Sequence, residues 1–206
     1  MAIRRVIQMG HPTLREVSQP VSAEEFESPE FQRLCNDLLD TMLDYEGVGL
    51  AAPQVAVLKR VVILEIDEET GPEFLVNPVV EVVGTTTSHT WEGCLSIEGM
   101  RGRVERPDHI RVFAFDRDGT RKGYELEGYP AVVVQHECDH LDGVLYVDKV
   151  DPRSLAFINE YRRYGPLVGP GDDDFDDDDD DVELQLALEE DDGDLLNYAD
   201  PAEEEL

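Results

Sequence analysis

Two histidines and a glutamate in residues 135–141 form the strongest chemical signal in the chain. His136 and His140 stand four positions apart, and Glu137 directly follows the first of them. Residues four apart lie on one face of a helix, so both imidazoles can reach a single metal ion. A carboxylate beside two neutral nitrogen ligands is the arrangement with which metal-dependent hydrolases activate water. The segment therefore predicts a hydrolytic metal site; the alternative is a pair of solvated or core-packed histidines.

A third protein ligand is needed, because a catalytic ion of this type binds three protein groups and keeps one position open. No histidine follows His140, and Glu160 belongs to a different predicted element. Cys94 follows a glycine in a turn-like stretch, where the chain can present a thiolate. The competing role for Cys94 is that of a small buried apolar side chain, the commonest role of a free cysteine. Cys94 is the better ligand candidate. The other two cysteines, Cys35 and Cys138, are predicted to pack in the core. Two further histidines, His89 and His109, are predicted to be surface or structural residues.

Residues 47–54, with the sequence Gly-Val-Gly-Leu-Ala-Ala-Pro-Gln, form a further candidate for contact with a ligand. The small residues let the backbone approach a ligand closely, and Pro53 restricts the exit from the segment. Gln54 can donate a hydrogen bond from its amide to a developing oxyanion. The segment is a weak signal by itself, since a lone Gly-x-Gly is usually only a turn.

The helices that must position these groups are predicted from the spacing of apolar residues. One helix is expected from Ser22, as its N-cap, to about Tyr45. A second begins near Pro130, carries the two histidines and ends at Gly143. A short third helix is expected over residues 151–163.

Strands are predicted where β-branched and aromatic residues are concentrated, in residues 59–66, 74–83, 111–115 and 122–126. Pro78 indicates an edge strand or a bend, and residues 116–119 form a hairpin turn. This order of elements predicts an α+β fold. Mostly antiparallel β-sheets are expected to pack around the central helix that carries the histidines.

Negative charge is concentrated at the C-terminal end of the chain. The 206 residues include 48 acidic and 17 basic residues, which gives a net charge of −31. Residues 171–206 hold 19 of the acids and no base. Because such a polyanion cannot bury a core, we expect a catalytic domain over residues 1–168 and a disordered acidic tail over residues 169–206. Alternating apolar residues at 182–188 allow a second hypothesis, in which part of the tail adds a strand to the edge of a sheet.

Composition also limits the partners and the location of the protein. The acidic body and tail disfavour direct binding to nucleic acid, whose phosphates would repel them. A predicted basic patch is a local exception to this negative charge. A further hypothesis is that the tail folds onto this patch. The patch comprises Arg101, Arg103, Arg106 and Arg111. Three cysteines argue for a reducing compartment. No signal peptide, membrane-spanning stretch or transit peptide is visible, so a bacterial cytoplasmic location is preferred to an organelle.

Together the three segments resemble the three signature motifs of the peptide deformylase family. Residues 47–54 resemble the first motif, 92–96 the second and 135–140 the third. The resemblance extends from about Val6 to about Lys149, so it covers most of the body and none of the tail. It implies the deformylase fold and the removal of the formyl group from N-formylmethionine on new polypeptides. The expected partners are therefore formylmethionyl nascent peptides.

The resemblance also implies roles for individual residues. Cys94 and the two histidines would bind one metal ion per chain, natively Fe(II), with Zn(II) or Ni(II) as possible substitutes. Glu137 would be the general acid and base, while Gln54 and the backbone amide of Leu95 would stabilise the oxyanion. Arg101 would contact the peptide backbone or carboxylate of the substrate; the alternative is that it is an ordinary surface arginine. The bulky side chain of Tyr129 would narrow the pocket for the methionine side chain. The residues implied to contact substrate are Val48, Gly49, Arg101, Tyr129, Val132 and Val133.

Two other functions are considered. A metallopeptidase could use the same helix to cleave internal peptide bonds, but the upstream cysteine argues against it. A catalytically silent metal-binding or interaction protein could carry an acidic module, but every expected catalytic residue is present. Some deformylases end in a basic helix that meets the ribosome, and the acidic tail opposes that mode here.

Overall fold

The computed structural model describes residues 2–65 and 70–165, so the predicted tail over 169–206 lies outside the described residues. The helices are α1 (Pro29–Asp44), α2 (Tyr129–Leu141) and α3 (Ile158–Tyr164). The strands are β1 (Gly49–Ala51), β2 (Val61–Leu64), β3 (Glu73–Val82), β4 (Thr87–Cys94), β5 (Ile97–Pro107), β6 (His109–Phe115), β7 (Arg121–Glu127) and β8 (Ala156–Phe157).

Two antiparallel sheets enclose the helix that carries the histidines. The first has five strands in the order β1-β2-β3-β6-β7, and the second has three in the order β4-β5-β8. Helix α2 contacts β1, β2 and β7 of the first sheet and β5 of the second. The predicted α+β fold, with antiparallel sheets around this helix, is therefore confirmed.

Strand β2 shows how the first sheet carries a helix on each side. Successive side chains of a strand point to opposite faces. Val62 and Leu64 pack in the cluster formed with α2, whereas Val61 and Ile63 pack in the cluster formed with α1. All four are buried, so the uninterrupted apolar sequence follows from having both faces covered.

The predicted start of the first helix at Ser22 is wrong. Ser22 instead closes a local turn, in which its backbone N–H donates to Glu25 Oε2 at 2.9 Å. Helix α1 begins at Pro29, where Ser28 Oγ accepts a hydrogen bond from the N–H of Phe31 at 3.2 Å. A helix cannot run through Pro29 from Ser22, because proline lacks an N–H and its ring clashes with the preceding turn.

The predicted start of the last helix at Asp151 is also wrong. The Asp151 carboxylate accepts a hydrogen bond from the N–H of Arg153 at 3.0 Å, and its carbonyl accepts one from Ser154 Oγ at 2.7 Å. These local bonds compete with helix formation. The chain then pairs as β8 with β5 before α3 begins at Ile158.

The strands predicted in the first sheet are found, with small shifts at their ends, whereas the second sheet was not predicted. Pro78 lies at an irregularity between Val76 and Val79, beyond the residues of β3 that pair with β2, so it marks a bend where the strand pairs with β6 alone among the described residues. Cys35 and Cys138 are packing residues as predicted, and burial raises the pKa of their thiols to about 11 and about 12.

Candidate metal centre and active site

Helix α2 presents two histidines and a glutamate towards the space between the sheets. His136 and His140 are 9% and 1% exposed, and Glu137 is 5% exposed. The helix has a proline in its first turn. Backbone N–H groups in the first turn make no hydrogen bond within the helix, so the N–H that proline lacks is not needed there. It ends before Gly143, which has φ 72° and approaches the backbone of Arg15 so closely that a Cβ would lie 2.7 Å from it. A side chain at position 143 would therefore collide with the backbone of Arg15.

Cys94 reaches the two histidines from the end of β4. The chain reverses directly after it, and Cys94 pairs with Ile97 at the start of β5. Its Sγ lies 3.4 Å from His140 Nε2, and one donor atom from each of Cys94, His136 and His140 lies within 4.8 Å of the others. Among residues 2–65 and 70–165 these three form the one such cluster, and Glu160 is not part of it. The structure thus brings together the three predicted ligands.

The donor set fits a bound metal ion. One thiolate and two imidazoles are accepted by Fe(II), Zn(II) and Ni(II) alike. His136 Nδ1 lies 2.7 Å from Glu92 Oε2, so a proton on Nδ1 can be donated to Glu92 while Nε2 stays available as a ligand. A carboxylate behind a histidine is the usual support for a metal ligand, because it fixes both the tautomer and the ring orientation.

Buried charges around Glu92 extend this support across the interior. Arg106 is 1% exposed, and its Nη2 donates to Glu92 Oε2 at 2.9 Å. Its Nη1 donates to Asp139 Oδ2 at 2.8 Å, and Asp139 also accepts from Lys149 Nζ at 2.7 Å. Although burial opposes its ionisation, hydrogen bonds from Arg106 and His136 lower the pKa of Glu92 to about 2. Glu92 is therefore a fixed anion behind His136.

The two imidazoles differ in their affinity for a proton. Burial opposes a charge on His136, but hydrogen bonds with Cys94 and Glu92 outweigh it and raise its pKa to about 10. Burial, together with the positive charge of His136, lowers the pKa of His140 well below its ordinary value. The difference arises because hydrogen bonds with Cys94 and Glu92 raise only the pKa of the first ring, whereas burial and the charge of His136 lower that of the second.

Glu137 lies against Gly49 of β1. A Cβ at position 49 would lie 2.6 Å from Glu137 Oε1, which is closer than real Cβ atoms come. Glycine is therefore required there if the carboxylate is to keep this position. Burial raises the pKa of Glu137 to about 7, which allows it to take up and release a proton near neutral pH.

A hydrogen bond from the nearby backbone orients the Gln54 side chain beside the three candidate metal ligands. It lies in a 3-10 turn, Ala52–Val55, and its Oε1 accepts a hydrogen bond from the Ala51 N–H at 2.7 Å. Its Nε2 is thereby directed towards Ser96 Oγ at 3.3 Å and Cys94 Sγ at 3.6 Å. The backbone next to Cys94 is also tied down, because the Leu95 carbonyl accepts from Gln8 Nε2 at 2.9 Å.

The residues predicted to contact substrate differ in their burial. Val132 and Val133 are buried in α2, four positions before His136 and Glu137. Val48 and Tyr129 are about half exposed. The Arg101 guanidinium lies 4.6 Å from the centre of the Tyr161 ring.

The predicted basic patch is wrong. Arg106 is buried in the ion pairs with Glu92 and Asp139 and presents no charge to solvent. Arg111 lies in β6, in the other sheet, where its Nε is 3.0 Å from Glu125 Oε2. Residues close in sequence were separated because β5 and β6 diverge into different sheets.

Sequence reasoning missed the roles of Arg106 and Asp139 in supporting the centre. Asp139 lies within the histidine motif without a predicted role, and Arg106 is predicted only as part of a basic patch. The available signal was Glu92, which precedes Cys94 by two residues. On an antiparallel strand, positions two apart share a face, so a carboxylate there points to the same interior as the cysteine.

A buried helix with two histidines and a glutamate, joined by a cysteine from a neighbouring sheet, defines a metal-dependent hydrolase. Comparison with known proteins gives the family. The family model described as polypeptide deformylase matches residues 3–156. The chain belongs to the peptide deformylase family, whose members are metal-dependent hydrolases that remove the formyl group from the N-terminal formylmethionine of new polypeptides. The predictions of family, enzyme class and function are thereby confirmed.

Individual relatives match most of the body. A peptide deformylase of Leptospira biflexa is 43% identical over 169 residues, which are 78% of this chain and 94% of that protein. Peptide deformylase 1 of Prochlorococcus marinus is 41% identical over 80% of this chain and 90% of that protein. A crystal structure of the Thermotoga maritima peptide deformylase is 36% identical, with a TM-score of 0.69, and covers 74% of this chain and all of that one.

Another solved relative contains a peptide. It is the class I type b peptide deformylase of Acinetobacter baumannii bound to Met-Ala-Ser. That protein is 34% identical, with a TM-score of 0.68, and the match covers 72% of this chain and 99% of that one.

In the described part of the present chain, no helix has the length and apolar character that crossing a membrane requires.

Proposed function

We propose that Cys94, His136 and His140 hold one Fe(II) ion, which Zn(II) or Ni(II) can replace, and that Glu137 is the general acid and base of deformylation. The carrying observation is the position of Glu137: it is buried against Gly49, one residue from a ligand histidine, with its pKa raised to about 7 by burial. When bound, a divalent ion supplies Lewis acidity and makes water more acidic.

The chain's own residues supply the proton transfers. Glu137 accepts a proton from the attacking water, whose oxygen bonds to the formyl carbon. The carbon–nitrogen bond then breaks, Glu137 returns the proton to the departing amine, and the acid product loses its remaining proton to water and leaves as formate. Gln54 Nε2 and the backbone N–H of Leu95 donate hydrogen bonds to the formyl oxygen as its negative charge develops. The Ala51 contact to Gln54 Oε1 supports this role, because it directs the amide nitrogen to the centre.

The methionine side chain is proposed to occupy an apolar pocket beside the centre. Val132 and Val133 form its buried part, and Val48 and Tyr129 form the exposed rim. Gly49 leaves room for the carboxylate and for substrate backbone. Arg101, held against Tyr161, contacts the peptide backbone or its carboxylate. The Met-Ala-Ser complex of the Acinetobacter baumannii relative supports a site for a short peptide that begins with methionine.

The domain boundaries, location and partners are further parts of this proposal. The catalytic domain spans residues 1–168 and the acidic tail spans 169–206; the family match, which ends at residue 156, supports a boundary after it. The high negative charge of the chain supports a protein that meets nascent peptides without binding nucleic acid directly. A cytoplasmic location agrees with the bacterial origin of the relatives.

Formate release tests the catalytic proposal. Protein purified without oxygen is incubated with formyl-Met-Ala-Ser, beside Glu137→Gln and a matched control, Glu81→Gln, which changes an exposed glutamate of β3. Release that is abolished in Glu137→Gln and kept in the control supports the proposal. Full release by Glu137→Gln would refute the role of Glu137.

The same preparations distinguish the other functions. Hydrolysis of casein without formate release would indicate a metallopeptidase. Bound metal without either reaction would indicate a binding protein. Metal analysis of the protein purified without oxygen tests the assignment of Fe(II).

A further inference from the structure

The last described residues include exposed basic and aromatic side chains, here together called the C-terminal face. It consists of Arg153, Phe157, Arg162, Arg163 and Tyr164. Phe157 and Tyr164 are 64% and 66% exposed, more than the other large apolar side chains of the described residues. The three arginines are exposed and have no ion-pair partner within residues 2–65 and 70–165.

Among the described residues, these arginines lack the ion pairs that hold eight other basic side chains of the body. Ion pairs with acids hold Arg4, Arg15, Arg33, Lys59, Arg60, Arg106, Arg111 and Lys149. Glu160 lies on the same helix as two of the unpaired arginines and forms no ion pair with them among the described residues. A local excess of positive charge therefore remains at the point where the described chain stops.

The face is firmly attached to the body. Tyr161 of α3 packs 4.7 Å from the ring of Trp91 and lies beneath the Arg101 guanidinium. Strand β8 pairs with Met100 and Arg101 of β5 and is one of the two edge strands of its sheet among the described residues. The face thus combines fixed charges, exposed aromatic rings and a sheet edge.

We propose that the C-terminal face is the docking surface for the chain's own acidic segment, residues 172–188, which lies outside the described residues. Nine aspartates occupy positions 172–181, and apolar residues then alternate with other residues at 182, 184, 186 and 188. The negative charges of the aspartates are complementary to the positive charges of the three arginines. The alternating apolar residues match the exposed rings and the outer edge of β8, because one side of an extended segment would be apolar.

The chain length permits this contact. Asp172 follows Gly165 by seven positions, which span at most about 24 Å when fully extended. Helix α3, with seven residues, is about 10 Å long. The aspartates can therefore reach Arg162 and Arg163 from the end of the helix, at the high effective concentration of a tethered segment. The docked segment would exclude other polyanions from this face.

Hydrogen exchange of the full chain tests the proposal. The amides of residues 156–164 are followed by mass spectrometry at about 0.02 M and about 0.5 M NaCl, which shortens the screening length several-fold. One variant replaces the nine aspartates of 172–181 with asparagine and leaves the body unchanged. At low salt these amides should exchange about three to ten times more slowly in the wild type than in this variant, since exposed ion pairs are individually weak and several act together. High salt should remove the difference.

Matched arginine variants separate the face from the net charge. Arg153→Gln/Arg162→Gln/Arg163→Gln should lose the slow exchange. Replacement with glutamine of three other basic residues that have no ion-pair partner within the described chain should keep it; these are Arg5, Arg121 and Lys122. Normal formate release confirms that each variant is folded.

Three results would overturn the proposal. The first is equal exchange at low salt in the wild type and the asparagine variant. The second is an equal loss of slow exchange in both sets of arginine replacements. The third is slow exchange that depends on protein concentration, which would place the segment on a neighbouring molecule.

Discussion

Replacement of Arg106 by methionine should be among the most damaging single changes to this protein outside the metal ligands. Arg106 and Glu92 are 1% and 6% exposed, and their side chains share two hydrogen bonds, of 2.5 and 2.9 Å. Methionine has a similar length but no charge, so Glu92 would stay buried as an anion without its main partner. Removing one partner of a buried ion pair costs about 3–5 kcal/mol of unfolding free energy.

The same substitution should weaken metal binding. Arg106 holds Glu92, which in turn orients His136 through Nδ1. Loss of support behind a metal ligand typically lowers metal affinity by about 10- to 100-fold. We expect both effects together, measured by urea unfolding and by competition with a chelator for Zn(II).

A control on the neighbouring sheet makes this prediction specific. Arg111→Met removes an ion pair with Glu125 that is open to solvent, since the Arg111 side chain is 51% exposed. Solvent screens that pair, so unfolding and metal affinity should change little. In the double variant Glu92→Gln/Arg106→Met, much of the lost stability should return, because no unpaired buried anion remains. Equal destabilisation by Arg106→Met and Arg111→Met would refute the reasoning.

Three further predictions follow from the site and from the N-terminal segment. In Gly49→Ala the new Cβ should displace the Glu137 carboxylate, lowering kcat/KM for formate release by about 10- to 100-fold; unchanged kcat/KM would contradict the described contact. Gln54→Glu keeps the acceptor for the Ala51 N–H but loses the amide donor, so kcat should fall about 100-fold or more with little change in KM; an increase in KM alone would indicate a binding role. Asp37 accepts hydrogen bonds from Ala2 and Arg4, which lower its pKa despite the opposing effect of burial. Its stabilising effect should therefore be complete above the ordinary carboxyl pKa of about 4 and be lost as the pH falls through the lower folded value. Asp37→Asn should reduce the unfolding free energy by about 1–3 kcal/mol at pH 7 and by less in acid, as measured by urea unfolding; a difference that does not depend on pH would contradict this.

Short-range patterns in the sequence were sufficient for the parts of the structure that depend on neighbouring residues. The four-residue spacing of His136 and His140 predicted their common helical face because helix geometry is local. Pro130 and Gly143 indicated both ends of that helix for the same reason. Where local signals competed, the prediction was wrong: Ser22 resembled a helix cap, but Pro29 forces a new start to the helix.

The sequence by itself determined the class of chemistry, because the types and spacing of Cys94, His136 and Glu137 restrict the site to a metal-dependent hydrolase. Only the tertiary structure decided which charges support that site. Arg106 and Arg111 look alike in the sequence, yet one is buried behind His136 and the other lies on the opposite sheet. The physical reason is that burial depends on how two sheets close around α2, and this packing joins residues that are far apart in the chain.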